Sequence, residues 1–389
     1  MRTSFLASAG LAVSVAMTSL PVAAETAKFG FVMPFSGWFQ PIDAATINGA
    51  KLAIKEINAS GGVLGQQIEA IEFDTKSEPT LGADGALEVI GKGAKAIMVA
   101  SDFDFGAPGA FVAQQNGVLA FSGASDARYG VAAIGNMAYS TSNESTAQAA
   151  LLAEWGYEKQ NWKTAYVLLD DTIAMNKSVC GSFTKRWKEL AGDAAVLGSD
   201  TFLNSDPSIA AQVSRISALP KKPDVIMLCS YAPGGPSAIR QLRAAGVDSP
   251  IVAPESMDGD YWVGVVPDLS NFYVVAFGSI YGDDSDPKIV DFFQRYEAEY
   301  GKRADVSYAL RGYSMVEAWA RAAERAGTTE PAKVAEVLDT FTDEPLVIGP
   351  TTYTPETHVS YTRAMSIIQA QNGKFSFLTK AAPKKRPSN

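Results

Sequence analysis

Few residue types in this chain can perform covalent or metal chemistry, and they are scattered. The 389 residues include one histidine and two cysteines. A Ser-His-Asp triad could use only His358, which lies in a predicted turn between Thr357 and Val359 and reads as structural or surface. One histidine with Cys180 and Cys229 cannot build a zinc finger or a His-ligated catalytic centre, so neither metal nor cofactor is expected. Gly61-Gly62-Val63-Leu64-Gly65 looks superficially like a phosphate loop. It follows a helix and precedes a strand, the reverse of a dinucleotide fingerprint, and reads as a helix cap and turn. Gly91-Lys92-Gly93 lacks the rest of a P-loop. Asp283-Asp284 reads as a solvated loop, whereas Asp170-Asp171 ends a strand and could approach a ligand. With nucleophile, base and metal set all missing, no enzyme is expected.

What the sequence does offer is binding chemistry placed just after strands. Pro34-Phe35-Ser36-Gly37-Trp38-Phe39 follows one strand, Ser101-Asp102-Phe103-Asp104-Phe105-Gly106 another, and Ser122-Gly123-Ala124-Ser125-Asp126 a third. Later come Tyr231-Ala232-Pro233-Gly234-Gly235 and Pro254-Glu255-Ser256-Met257-Asp258. Hydroxyls and backbone N–H groups at helix starts suit a carboxylate. Acidic groups suit an ammonium or hydroxyl donors, and aromatic rings suit apolar or cationic parts of a ligand. Each residue alone has a plainer reading: Phe105 as core, Asp126, Asp102 or Asp104 as a helix cap.

The elements that carry these loops alternate strand and helix. Strands are predicted at Phe29–Met33, Gln67–Asp74, Ala96–Ala100 and Val118–Ser122, with helices near 44–58, 82–92 and 106–116 between them. The helix over 44–58 rests on Ile47, Ala50, Ile54 and Ile57 at helical spacing. The pattern restarts with a helix at 143–156 and strands at Thr164–Leu169, Ala195–Leu203, Asp224–Ser230, Ile251–Ala253 and Phe272–Phe277. Helices are predicted at 287–300, 307–326 and 331–341, then three short β segments before residue 380. Such alternation argues an α/β fold of two lobes, each an open, mainly parallel sheet flanked by helices. Ligands of such sheets lie beyond the carboxyl ends of the strands. Two facing lobes would bring both sets of strand ends to one cleft that hinge closure can bury.

Composition agrees. Lys plus Arg number 33 and Asp plus Glu 42, a net charge of −9. That balance disfavours nucleic-acid binding, which rests on cationic side chains. Hydrophobic residues at 47% describe a globular core. Arg2, the apolar run Phe5–Met17 and Val22-Ala23-Ala24 form an export signal over residues 1–24, with cleavage expected before Glu25. That run is too short for a membrane span, and no later segment is long enough, so no direct membrane insertion is expected. The compartment reads as periplasm, which permits a Cys180–Cys229 disulfide; two separate buried thiols are the other reading. Residues 380–389, with Lys380, Lys384, Lys385 and Arg386, read as a disordered basic tail.

The sequence resembles the solute-binding proteins of ABC transporters of the Leu/Ile/Val-binding type, the type I periplasmic binding proteins. The most specific runs are Pro34-Phe35-Ser36-Gly37, Asn48-Gly49-Ala50-Lys51-Leu52-Ala53 and Ile57-Asn58-Ala59-Ser60-Gly61-Gly62-Val63-Leu64-Gly65. Ser122-Gly123-Ala124-Ser125, the segments around Leu242 to Gly246 and Pro254-Glu255, and Arg311-Gly312-Tyr313-Ser314 add to it. The resemblance implies a two-lobe fold with three hinge crossovers. Residues 25–142 and 279–359 would form the N-terminal lobe, 143–278 and 360–379 the C-terminal lobe. It implies a small-molecule ligand, an inner-membrane ABC permease as partner, and a monomer. Carried over, Ala124 and Ser125 would bind the ligand carboxylate, and Tyr231 and Glu255 its ammonium side, with Asn143 nearby. Trp38 and Tyr308 would wall its side chain.

Two departures from the family pattern matter. Asp102-Phe103-Asp104 replaces serine-rich sequence, and Ile173-Ala174-Met175 stands where a tyrosine is usual. Both weaken a branched-chain amino acid reading, and the extra carboxylates suit a cationic, amide or polyhydroxylated ligand; Asp102 or Asp104 as helix caps remains the other possibility. The functional expectation is periplasmic delivery of an amino acid or related solute to a permease. A sensory binding protein, or a binder of an amide, cationic or aromatic solute, stands as the alternative.

Overall fold

The computed structural model describes residues 26–387; the expected signal peptide lies outside them. In the first lobe, β1 (Ala27–Met33), α1 (Gln40–Ala59), β2 (Ile68–Asp74), α2 (Pro79–Gly91) and β3 (Ala96–Val99) follow one another. Then come α3 (Phe103–Gln115), β4 (Leu119–Ser122) and β5 (Ala138–Ser140). The strands form an all-parallel sheet in the order β2-β1-β3-β4-β5. Nearly every β1 residue is buried, so side chains pointing either way meet a helix layer, as a central parallel strand requires.

The second lobe begins with α4 (Ser145–Glu158), β6 (Ala165–Asp170), α5 (Ala174–Ala191), β7 (Val196–Phe202) and α6 (Ala210–Ser217). It continues with β8 (Val225–Cys229), α7 (Gly234–Ala244), β9 (Ile251–Ala253) and β10 (Phe272–Ala276). The chain then returns to the first lobe with α8 (Pro287–Tyr300), α9 (Ala309–Ala326), α10 (Pro331–Leu338), β11 (Glu344–Leu346) and β12 (Gly349–Thr351). It closes in the second with β13 (Met365–Gln371) and β14 (Lys374–Ala381). The second sheet runs β14-β13-β10-β9-β8-β6-β7, with β13 and β14 antiparallel. Three crossovers, at 141–144, 277–286 and 352–364, join the lobes. The first and third run side by side at Asn143 and Ser360.

Helices α1 and α9 cross at backbone contact. A Cβ on Gly49 would stand 2.0 Å from the carbonyl O of Ala309, and one on Gly312 1.9 Å from that of Thr46. Behind the crossing, Trp319 of α9 packs edge-on to Phe29 of β1 at 5.3 Å, and Phe29 stacks with Phe121 of β4. In the other lobe, Cys180 of α5 and Cys229 of β8 are disulfide-bonded, their Cα atoms 5.9 Å apart.

Several expectations need correction. β5 was invisible because three residues carry no periodicity. β13 and β14 form a long hairpin, not short segments. Helix α3 begins at Phe103, not near 106, because the Asp102 side chain caps it. His358 takes the structural reading and not the surface one: it is buried, its Nδ1 2.8 Å from Ala138 O and its Nε2 3.0 Å from Asp339. Asp284 is also buried, accepting from Ser279 N at 2.7 Å and Ser366 Oγ at 2.9 Å, so it ties a crossover to β13. The expected disordered tail is docked over its described residues. Lys380 and Ala381 finish β14, Lys384 N donates to Glu154 at 2.7 Å, and Lys384 Nζ pairs with Glu158. Arg386 reaches Glu144 at 2.6 Å, beside the first crossover. The acidic side chains along α4 supply the physical reason for this docking.

The crossing generates a test. Gly312→Ala should destabilise the protein by about 3 kcal/mol through overpacking. Gly181→Ala, in α5 with nothing within 4 Å of the added methyl, should be neutral or gain up to about 1 kcal/mol. Urea unfolding of both measures the difference, and a Gly312→Ala loss below about 1 kcal/mol would contradict the crossing.

Candidate functional site

The strand-end loops of both lobes meet in one cleft of about 670 Å³. From the first lobe, the loop after β1 gives Trp38 and Phe39, and the start of α3 gives Asp102, Phe103, Asp104 and Phe105. From the second, the start of α5 gives Met175, and the segments after β8 and β9 give Tyr231, Glu255, Asp258 and Tyr261. Tyr308 and Arg311, at the start of α9, complete the lining. Phe39 and Phe105 stack at 4.9 Å, and Trp38 stands edge-on to both. This cluster is an apolar wall whose Trp38 end is exposed.

The floor is a buried charge pair. Arg311 is 2% exposed and Asp43, from the first turn of α1, 0%. Their side chains approach to 3.6 Å. Arg311 Nε donates to Thr46 Oγ1 at 3.1 Å and Nη1 to Gly123 O at 3.2 Å. Its guanidinium lies 3.7 Å from the Tyr308 ring centre. Asp43 also accepts from Ser101 N at 3.1 Å. Burial raises the Asp43 pKa and Arg311 opposes that rise. Removing either partner would strand a buried charge, which typically costs 3–5 kcal/mol.

Glu255 makes two contacts between the lobes, and the Arg303–Asp260 ion pair at 2.8 Å adds another. Ser125 Oγ donates to the Glu255 carboxylate at 2.7 Å and Tyr308 OH to its backbone carbonyl at 2.7 Å. Gln148 holds it from behind, accepting from Glu255 N at 3.2 Å. Three residues on, Asp258 accepts from Ser307 N and Gly259 N, both at 2.7 Å. Behind Tyr231, buried Asp170 accepts from Ser230 Oγ and Asn204 Nδ2, both at 2.7 Å, and from Thr172 Oγ1 at 2.6 Å. It therefore fixes the loops of the second lobe without lining the cleft. Asp102 Oδ1 accepts from Asp104 N at 2.9 Å, so this carboxylate both caps α3 and faces the cleft. Burial, and then the Asp104 and Asp43 charges, push Asp102 up to about 6, against backbone N–H groups that lower it. Burial likewise pushes Asp258 to about 6, and burial with the Asp170 and Asp102 charges pushes Tyr231 to about 12.

Of the residues singled out by sequence, Trp38, Asp102, Phe103, Asp104, Ser125, Tyr231, Glu255 and Tyr308 line the cleft together. Two do not. Ala124 is buried, its N–H donating to Ser122 Oγ at 3.1 Å and its carbonyl accepting from Ser140 Oγ at 2.7 Å, because the chain there turns toward β5. Asn143 is committed to the hinge: its amide donates to Arg363 O at 2.7 Å and accepts from Arg363 Nη2 at 2.8 Å. Arg311 was missed as a site residue because it sits within a helix, Phe39 because it neighbours the more conspicuous Trp38. Tyr261 lies further along the segment after β9 than the run singled out there, and Asp305 sits between α8 and α9, after no strand.

Two α/β lobes, three crossovers and a deep cleft with recognition groups from both sides define a hinged solute-binding protein. The family model for periplasmic binding proteins matches residues 26–374, and the chain belongs to that family. It is similar to a Leu/Ile/Val-binding protein of Rhizobium johnstonii, 26% identical over 362 residues covering 91% of this chain and 94% of that one. A leucine-, isoleucine-, valine-, threonine- and alanine-binding protein of Pseudomonas aeruginosa is 24% identical, covering 84% and 85%. Among solved structures, the branched-chain amino acid transporter substrate-binding protein of Streptococcus pneumoniae with isoleucine superposes with a TM-score of 0.78. It is 23% identical and covers 92% of this chain and 99% of that one. A solute-binding protein of R. palustris with benzoate gives 0.74 at 18% identity, covering 92% and 97%.

The raised Asp102 pKa has a stability consequence. Between the ordinary value of 3.8 and about 6, the folded protein holds a proton that the unfolded chain has lost. That contribution is fully present below 3.8 and is lost as pH rises through about 6. Asp102→Asn keeps a good N-cap and cannot ionise. Its melting temperature should therefore exceed that of the unliganded parent at pH 8 and converge with it by pH 4. A difference constant across that range would sink the assignment.

Proposed function

We propose that this chain is the solute-binding component of an ABC importer, holding an amino acid or related small organic solute between its lobes and presenting the closed form to a membrane permease. Residues 1–24 direct export and are cleaved before Glu25, and the mature protein acts in the periplasm as a monomer. It binds and releases its solute without transforming it. The observation that carries this reading is the interlobe cleft, where Glu255 of one lobe meets Ser125 and Tyr308 of the other. A solute entering there touches both lobes at once, so its binding energy depends on their closure.

The test is a thermal-shift screen over amino acids, amides, amines and aromatic acids. A solute at a hundredfold excess over its Kd should stabilise the protein by about 2.7 kcal/mol. Tyr231→Ala and Glu255→Ala should remove that shift while leaving the unliganded protein folded by circular dichroism. No shift with any class would overturn the solute-binding reading, and unchanged shifts in both variants would overturn the site.

A further inference from the structure

The charges in the cleft do not balance. Asp126 is held by Arg128 at 2.6 Å and Asp305 by Lys302 at 3.0 Å, both outside the cleft centre. Among the described residues, Asp102, Asp104, Glu255 and Asp258 have no ion-pair partner. Arg311 is the one basic side chain in the lining, and its charge is already matched by Asp43.

The position best suited to an anion is also filled. Backbone N–H groups at the start of a helix favour a carboxylate. At α3 that carboxylate is supplied by the chain itself, since Asp102 takes the Asp104 N–H. A ligand carboxylate arriving there would face Asp102 and Asp104, and the one cation in their field, Arg128, is already paired with Asp126 at 2.6 Å. At the neighbouring strand-end loop, the Ser125 hydroxyl already donates to Glu255, leaving no proton for a second anion. Beside Asp102, Ser101 Oγ lines the cleft, is buried and has no hydrogen-bond partner, so an acceptor and a donor stand ready for an N–H or O–H group. The aromatic side chains of Trp38 and Phe105 on one lobe and Tyr231 on the other line the cleft and suit a cation carried on an apolar body.

We propose that the solute is an organic cation, a protonated amine on an apolar or aromatic body, bound through Asp102, Ser101 and Glu255 with no requirement for a ligand carboxylate. This rests on the solute-binding reading above and narrows it. Such a site would accept an amino acid amide or a decarboxylated amine in preference to the parent amino acid.

Matched probes separate these cases: leucine, leucinamide, isopentylamine and isovaleric acid, with phenylalanine, phenylalaninamide, phenethylamine and benzoate as an aromatic set. Calorimetric titration of the full mature chain should show the amide or amine of at least one set binding tenfold or more tighter than its amino acid, with the acids silent. Asp102→Asn should weaken the amine at least tenfold, and raising salt should weaken it further. Tightest binding of a parent amino acid or of an acid would overturn the cation inference and leave the solute-binding reading standing. An amine affinity unmoved by Asp102→Asn would overturn the site assigned to the cation. Silence of every probe, together with no hit in the wider thermal screen, would overturn both.

Discussion

The contact between α1 and α9 is the constraint on which the site depends. Only glycine at 49 and 312 lets the two backbones meet, and that distance brings Asp43 and Thr46 of one helix to Arg311 of the other. A buried guanidinium needs several acceptors at once, because its desolvation is repaid only by good geometry and satisfied donors. Arg311 finds them in Thr46, Gly123 and Asp43, and sits over the Tyr308 ring. Gly123 is under the same constraint: a Cβ there would stand 2.6 Å from Arg311 Nε. Three glycines on three different elements thus serve one arginine. The floor of the cleft is rigid for this reason, and the Tyr308 hydroxyl is aimed at the other lobe.

Much of the fold was legible because its signals are local. Helical spacing and buried strand runs located the parallel strands of both sheets except β5, the restart after residue 142 suggested two lobes, and strand-end loops pointed to the cleft. What escaped was set by distant partners. The run Asn48-Gly49-Ala50 served in the sequence only as a mark of resemblance, yet its glycine has a steric role that appears once Ala309 is placed against it. Ala124 looked available until β5, too short to show a period, claimed its carbonyl. Lys384 and Arg386 looked free because the acids that hold them, Glu144 at the end of the first crossover and Glu154 and Glu158 on α4, lie more than two hundred residues away. Asp102 could be read as ligand contact or helix cap, and its carboxylate caps α3 while the residue also lines the cleft.

The hinge is held by different chemistry from the cleft. Arg363, buried in the third crossover, donates to the Asn143 side chain and the Thr141 carbonyl of the first. Burial lowers its pKa to about 10, still well above physiological pH, so it remains a cation. Its donors go to neutral groups, whereas Arg386 brings positive charge to nearly buried Glu144 in the same region. The two strands of the hinge are therefore tied to each other and to the chain's end, while the lobes meet at the cleft through a few hydrogen bonds around Glu255. Bending at the crossovers need not break the ties of Arg363 to Asn143 and Thr141, since both ends of each lie within the hinge. Opening the cleft must break the Glu255 contacts, together with the Ser307–Asp258 bond and the Arg303–Asp260 ion pair where they bridge the lobes.

That asymmetry bears on how a solute would drive closure. The Ser125–Glu255 and Tyr308–Glu255 bonds already join the lobes without a ligand. Each is worth on the order of 1 kcal/mol net, since the same groups bond water when apart. Asp258 and Glu255 sit near each other and near the start of α9, and each charge raises the cost of bringing the lobes together dry. A closed cleft holding unmatched carboxylates is thus close to balance, neither firmly shut nor strongly opposed. A solute that supplies the missing positive charge removes the repulsion and adds contacts to both lobes in the same step. Because the gain exists only in the closed form, the equilibrium shifts by the solute's differential affinity for that form. The acidity of the cleft and the hinged architecture are then two parts of one mechanism.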